Sequence, residues 1–416
     1  MLLHVYVGPS LGRDAPVLAD PRIRVRPPLR HGDLFDPAIA DTDTVVVLDG
    51  AWHQTPAVRH KELLALLARG VRVIGGASLG AIRAAELQQF GMVGVGAVFR
   101  AYLSGDIDGD DEVAVGQAPD GDLRALTWPV VNLRHVLRRA AHEGVVTARA
   151  AEDLLTALCA VYYPQRTMAA VRAVCRAHQA GRFADWLDDR RAADPYFGDI
   201  KRADALEALE AGLDEHLPRL QPRPVAESGY YRRWANHAVA SVVDGQRLQA
   251  AVRVAYQAFF DPFFPQVWND LLEHLSRHPA DGGAGVPLPQ RVKAATGGGG
   301  VPAHVLFRPV PDLRDEGARA RLLRDETAAD RAAIVRYQAI REAARHDVPG
   351  FSDEAVDDSV ARRSLFRLWD TTPDLLEDAA AARGFRSGED AIGSLKWFIP
   401  GLVHDQEQRQ ERADVR

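Results

Sequence analysis

The sequence predicts an α/β fold: a small parallel-sheet N-terminal layer with a serine-bearing strand–turn–helix, then a mainly α-helical C-terminal region. Three observations predict it. Short apolar runs near 2–7, 45–49 and 71–75 alternate with loop and helix patterns, as in a parallel layer. The third run leads through Gly76-Ala77-Ser78-Leu79-Gly80 into the helical sequence Ala81-Ile82-Arg83-Ala84-Ala85-Glu86-Leu87. From about residue 130, apolar residues recur at helical spacing, as in 132–144, 148–161 and 168–180.

The opening run, Met1-Leu2-Leu3-His4-Val5-Tyr6-Val7-Gly8, lacks the basic flank of a signal peptide and reads as the first strand. Between the second and third strands, residues 55–70 read as a helix. Thr55 is its expected N-cap, Pro56 suits its first position and Gly70 its stop. The layer is expected to occupy 1–150 and the helical region 151–416. Residues 281–302, rich in glycine and proline, are expected to be a linker or loop. One long charged helix is expected near 315–345, and a disordered end at 405–416. The cluster Tyr256, Phe259, Phe260, Phe263, Phe264 and Trp268 reads most simply as core.

Composition narrows the function. The 416 residues leave room for two or more domains, and 47% hydrophobic with 26% charged residues is ordinary for a globular chain. A net charge of −6 argues against a general nucleic-acid binder. No run is long enough to span a membrane, and a cytoplasmic location is expected. Cys159 and Cys175 suit neither a zinc knuckle nor a disulfide framework and read as small buried apolar residues. The acidic turn 106–112 fails the EF-hand pattern and is expected to pair with arginines. Gly75 to Ala81 fails the phosphate-loop pattern, and no dinucleotide fingerprint follows the first strand. Neither metal nor cofactor is expected.

Glycine-x-serine-x-glycine between strand and helix is the pattern of a nucleophile elbow, in which a tight turn holds the hydroxyl above the strand ends. The competing reading makes Ser78 a plain helix N-cap. A serine needs a base. Only Lys61, Lys201, Lys293 and Lys396 are lysines among 51 basic side chains. A position that keeps lysine in so arginine-rich a chain can need an amine able to become neutral, which arginine does not. Lys61, near the start of its helix and beside Leu64 and Ala68, is the candidate base; a solvated surface lysine is the alternative.

The residues that carry a wider likeness run in order through the first 150. They are Val7-Gly8-Pro9-Ser10, His31-Gly32-Asp33, Val47-Leu48-Asp49-Gly50 and Ala57-Val58-Arg59-His60-Lys61-Glu62-Leu63. The motif Gly76 to Leu87, then Phe90-Gly91-Met92-Val93-Gly94-Val95-Gly96 and Asp110-Asp111-Glu112-Val113-Ala114, complete it. In these the sequence resembles the TfuA-like family, partners of YcaO enzymes in peptide-backbone thioamidation. The resemblance implies a hydrolase-like protein that releases sulfide from a thiocarboxylated, ubiquitin-like sulfur-carrier protein. A YcaO enzyme would use that sulfide on a ribosomal precursor peptide. Ser78 then carries the nucleophile role and Lys61 that of the base. Leu79 and Gly80 are the expected oxyanion donors, with Gly8 and Ser10 of the first loop lining the same crevice. Asp49 either orients Lys61 or, by preference, caps the next turn, and the resemblance also allows the acidic turn 106–112 to be a partner surface. A non-catalytic adaptor for the YcaO enzyme or its peptide is the rival reading. A small-molecule or nucleotide binder comes third.

Overall fold

The computed structural model describes residues 2–12, 15–51, 55–118, 124–217, 227–243, 245–279, 282–298, 300–348 and 351–414, with side chains to 410. The chain divides into two compact units, 1–226 and 227–416.

The first unit is built on five parallel strands: β1 (Leu3–Tyr6), β2 (Ile23–Arg26), β3 (Thr44–Val47), β4 (Arg72–Gly75) and β5 (Val93–Gly94), in the order β2-β1-β3-β4-β5. Register is fixed by pairs such as His4 with Val45 and Val46 with Ile74. All of β1, β3 and β4 is buried, which is why these strands read as continuous apolar runs. The edge strands were not anticipated. Only Ile23 of β2 is buried, with arginines at the other alternating positions, and β5 is two residues long.

Helices α1 (His60–Ala68) and α2 (Leu79–Leu87) cover one face, where Leu63, Leu66 and Ile82 meet Val45, Val47 and Val73. Helix α3 (Gly96–Ser104) follows β5. Four more helices, α4 (Val130–His142), α5 (Ala148–Cys159), α6 (Met168–Ala177) and α7 (Gly181–Ala193), share a core around Leu133, Val136, Leu154 and Phe183. The chain then returns to the sheet. Helix α8 (Ile200–Leu213) lays Ala205, Ala208 and Leu209 on Leu3, Val5, Val46 and Ile74, across the face opposite α1 and α2. Without α8 that apolar face would lie open. The first unit therefore runs on to 226, and the boundary expected at 150 falls inside it.

Both ends of α8 are tied down. The buried Arg72 guanidinium donates to the carbonyls of Gly212 and Asp214, each at 2.8 Å, and of Leu217 at 3.1 Å. Toward its other end, Asp204 accepts from the amides of Ala97 and Val98 at 2.7 and 2.8 Å, capping α3.

The helix expected from Thr55 starts later, with Arg59 as N-cap. The reason is tertiary. The buried Glu62 carboxylate accepts from Arg59 N at 2.9 Å and Gly32 N at 2.8 Å, and pairs with His31 Nδ1 at 2.6 Å. This anchor fixes the first turn, and Gly70, at φ +84°, ends it as expected.

The second unit holds eleven α-helices among its described residues and one hairpin, Ala240–Val243 with Gln246–Gln249. Phe259, Tyr337, Leu365 and Phe398 form one core, and Phe264, Trp268 and Leu271 another. The aromatic cluster is core as expected, except that Phe263 is exposed. The stretch 281–302 lies within this unit and carries the helix Leu288–Thr296, beside a groove of about 690 Å³. The long helix expected at 315–345 is two, Glu316–Leu322 and Ala328–Asp347, because Thr327 accepts from Asp330 N and starts the second. The end is helical too: Ile399–Asp414 docks through Asp405, which accepts from Arg336 and Tyr337 at 2.9 and 2.8 Å.

Candidate active site

In an open parallel sheet, ligands bind beyond the carboxyl ends of strands where the strand order reverses. Here that point lies between β1 and β3, since β2 continues on the other side of β1. Asp49, just past β3, closes the crevice floor. Its Oδ2 accepts from the amides of Gly8 and Ser10 at 2.8 and 3.0 Å, and its Oδ1 from Ser10 Oγ at 2.6 Å. Asp49 thus caps the loop after β1. A Cβ on Gly8 would come within 2.6 Å of Pro28 Cγ, so only glycine fits there.

Ser78 follows β4 in a turn set by backbone contact. A Cβ on Gly80 would stand 1.7 Å from the Val47 carbonyl oxygen, and one on Gly75 2.1 Å from that of Gly80. Ala77 holds the left-handed conformation at φ +65°, a sparsely populated state for a residue with a side chain. Ser78 occupies the N-cap position of α2 but makes no capping hydrogen bond. Its hydroxyl points instead at the carbonyl of Val113, 3.5 Å away and at the outer edge of hydrogen-bond distance. The plain cap reading of this serine does not hold. Of the expected oxyanion donors, Gly80 N is already committed to Leu48 O at 3.3 Å, whereas Leu79 N makes no hydrogen bond among the described residues. The Gly8 and Ser10 amides are held by Asp49 and serve the loop's shape.

Lys61 is half-buried on α1, and no hydrogen bond joins it to Ser78 among the described residues. A different lysine reaches the serine's neighbourhood. Lys201, the second residue of α8, is 3% exposed, and its Nζ donates to the Val113 carbonyl at 2.8 Å. Ser78 and Lys201 therefore converge on one oxygen. Burial pushes the Lys201 amine below its ordinary pKa, while Asp49 and then Asp199 oppose that effect. Its place in the first helical turn also disfavours the cation. The signal for it was available. The scarcity of lysine marks Lys201 as much as Lys61, but nothing in local sequence shows that α8 folds back over the sheet.

The acidic turn pairs with arginines, as one of its two readings had it. Glu112 is bonded to Arg134 of α4, and Asp111 lies 3.5 Å from Arg166. Arg166, fully buried, also donates to the carbonyls of Leu158 and Val161 at 3.2 and 2.9 Å. Among the described residues no group of three or more His, Cys, Asp or Glu side chains is arranged to hold a metal. Cys175 is buried as expected but Cys159 is exposed. Partial burial and nearby Glu112 raise the Cys159 thiol pKa, which keeps it from being a ready thiolate.

Residues 49–167 match the family model of TfuA-like proteins. That segment is TfuA-like. It contains Asp49, Lys61, Ser78, Val113, Arg134 and Arg166, and it ends before α8 and Lys201. No curated protein matches the chain. Among the described residues, no helix is long and apolar enough to cross a membrane.

Proposed function

We propose that this TfuA-like protein is a Ser-Lys hydrolase that releases sulfide from a thiocarboxylated sulfur-carrier protein, in support of a YcaO enzyme making a thioamide in a ribosomal peptide. One observation carries the reading. Ser78 Oγ, freed from helix capping, and the buried Lys201 Nζ meet at the same carbonyl oxygen. In this proposal Lys201 takes the base role that sequence alone assigned to Lys61.

With one amine hydrogen on Val113 O, the lone pair of neutral Lys201 takes the Ser78 proton. The Ser78 oxygen bonds to the thiocarboxylate carbon, with the developing oxyanion at Leu79 N–H. The carbon–sulfur bond then breaks, and Lys201 returns the proton to sulfur as hydrosulfide leaves. Water, deprotonated by Lys201, attacks the acyl-serine and frees the carrier's carboxylate and the serine hydroxyl. The net change consumes one water per sulfide and needs no oxidant or reductant. Asp49 shapes the floor and faces the lysine.

The adaptor reading differs in one prediction, that Ser78 is dispensable. Sulfide is to be assayed on mixing the protein with a thiocarboxylated carrier, alongside intact-mass analysis for an acyl adduct. We expect release by the wild type and a loss of about 10³-fold in Ser78→Ala. Release by both no faster than without the protein would leave the adaptor.

A further inference from the structure

We propose that Glu112 and Arg166 are positioning residues of this site, gripping the turn Asp110–Glu112 so that the Val113 carbonyl stands as the fixed acceptor aligning Lys201 and Ser78. The inference rests on the Ser78–Lys201 reading. Val113 itself is fully buried, and its oxygen is the hydrogen-bond partner of a buried lysine. What fixes that oxygen is the turn immediately before it. Glu112 is tied to Arg134, and Asp111 to Arg166, which in turn holds the carbonyls at the end of α5.

Helix α4 holds the other side as well. Two residues before Arg134, Asn132 donates to the Asp199 carboxylate at 3.1 Å, and the same oxygen accepts Arg202 N at 3.1 Å as the cap of α8. One helix thereby sets both the acceptor's turn and the lysine's helix. Among the described residues the Glu112–Arg134 pair is held by a single bond, with Glu112 Oε2 and Arg134 Nε buried and unpartnered. Replacing such a largely desolvated pair by apolar residues is often neutral or stabilising, so stability alone does not account for it. Holding one carbonyl in place does.

The charged groups that face Lys201 are Asp49 from the end of β3 and Asp199 from the cap of its own helix. Glu112 acts on it only through the backbone. A hydrogen bond to a carbonyl favours the ammonium form, so a displaced Val113 oxygen lets the Lys201 pKa fall further.

The test is lysine ¹³Cε NMR titration of the full chain. Its four lysines give four resonances, and Lys201→Arg identifies the one that matters. In folded Glu112→Gln, Lys201 is expected to titrate about one pH unit lower than in the wild type. Sulfide release should fall about tenfold, with KM within about twofold. Arg166→Lys is the second variant, and Glu112→Asp should restore the wild-type titration in part. If Glu112→Gln and Arg166→Lys both fold and leave the Lys201 titration unchanged, the proposal is overturned, whatever the rate does. Full activity in Lys201→Ala would instead sink the Ser-Lys reading. Inactive Lys201→Ala beside an unchanged Glu112→Gln would sink the positioning role alone.

Discussion

A lysine amine buried at the first turn of a helix is held toward its neutral form, and folding then depends on pH in a definite direction. The folded pKa of Lys201 lies below its ordinary 10.5. Below the depressed value both states carry the proton, and burial of the cation costs stability. As pH rises from there toward 10.5, the unfolded chain holds the proton longer and the folded state gains. Urea denaturation of the wild type should show this gain, and Lys201→Met should lose it while being at least as stable near neutral pH. At Gly80, a Cβ would stand 1.7 Å from Val47 O, which leaves no room for a methyl. Gly80→Ala should cost about 3 kcal/mol or more, read as a fall in thermal midpoint. Ser78 and its glycines were legible in sequence because the turn is local. Lys201 was not, because it reaches Val113 O, the oxygen that Ser78 also faces, only when α8 closes on the sheet.

Helix α8 is the element on which the site turns. Its buried face is mostly alanine, leucine and glycine, with Lys201 and Asp204 the two charged residues on it. Burial pushes that carboxyl from 3.8 up to about 6, despite its two backbone hydrogen bonds to α3. The sign follows directly. A raised carboxyl pKa favours the folded state while the group is protonated. That contribution is complete below 3.8 and is lost as pH climbs through about 6. Its full size is about 3 kcal/mol. Asp204→Asn should therefore flatten the dependence of the thermal midpoint on pH between about 4 and 7, while a wild-type curve already flat there would contradict the assignment. The central strands were readable because burial on both faces makes them largely apolar, His4, Thr44 and Arg72 aside. The edge strands were not, since β2 mixes arginine with its apolar residues and β5 is too short for any pattern. The start of α1 was missed because Glu62 is anchored by His31 and Gly32, some thirty residues upstream in sequence.

For the molecule as a whole, the change of pattern near residue 130 is real but does not mark a boundary. Helices α4 to α8 follow it, and the last of them completes the sheet. A chain cut after residue 226 should melt cooperatively and keep the Lys201 titration of the full protein. One cut after 150 should aggregate, since Leu3, Val5, Val46 and Ile74 lose their cover. Circular dichroism melts and size-exclusion chromatography distinguish the two. Fold class was legible from strand alternation and helical periodicity. The extent of the first unit was not, because helical spacing marks α8 as a helix without naming the face it covers.

The most direct test compares two lysines in one assay. Sulfide release from a thiocarboxylated carrier protein should be lost in Ser78→Ala and Lys201→Ala and kept in Lys61→Ala, all three remaining folded. Release that survives in Lys201→Ala but is lost in Lys61→Ala would contradict the account.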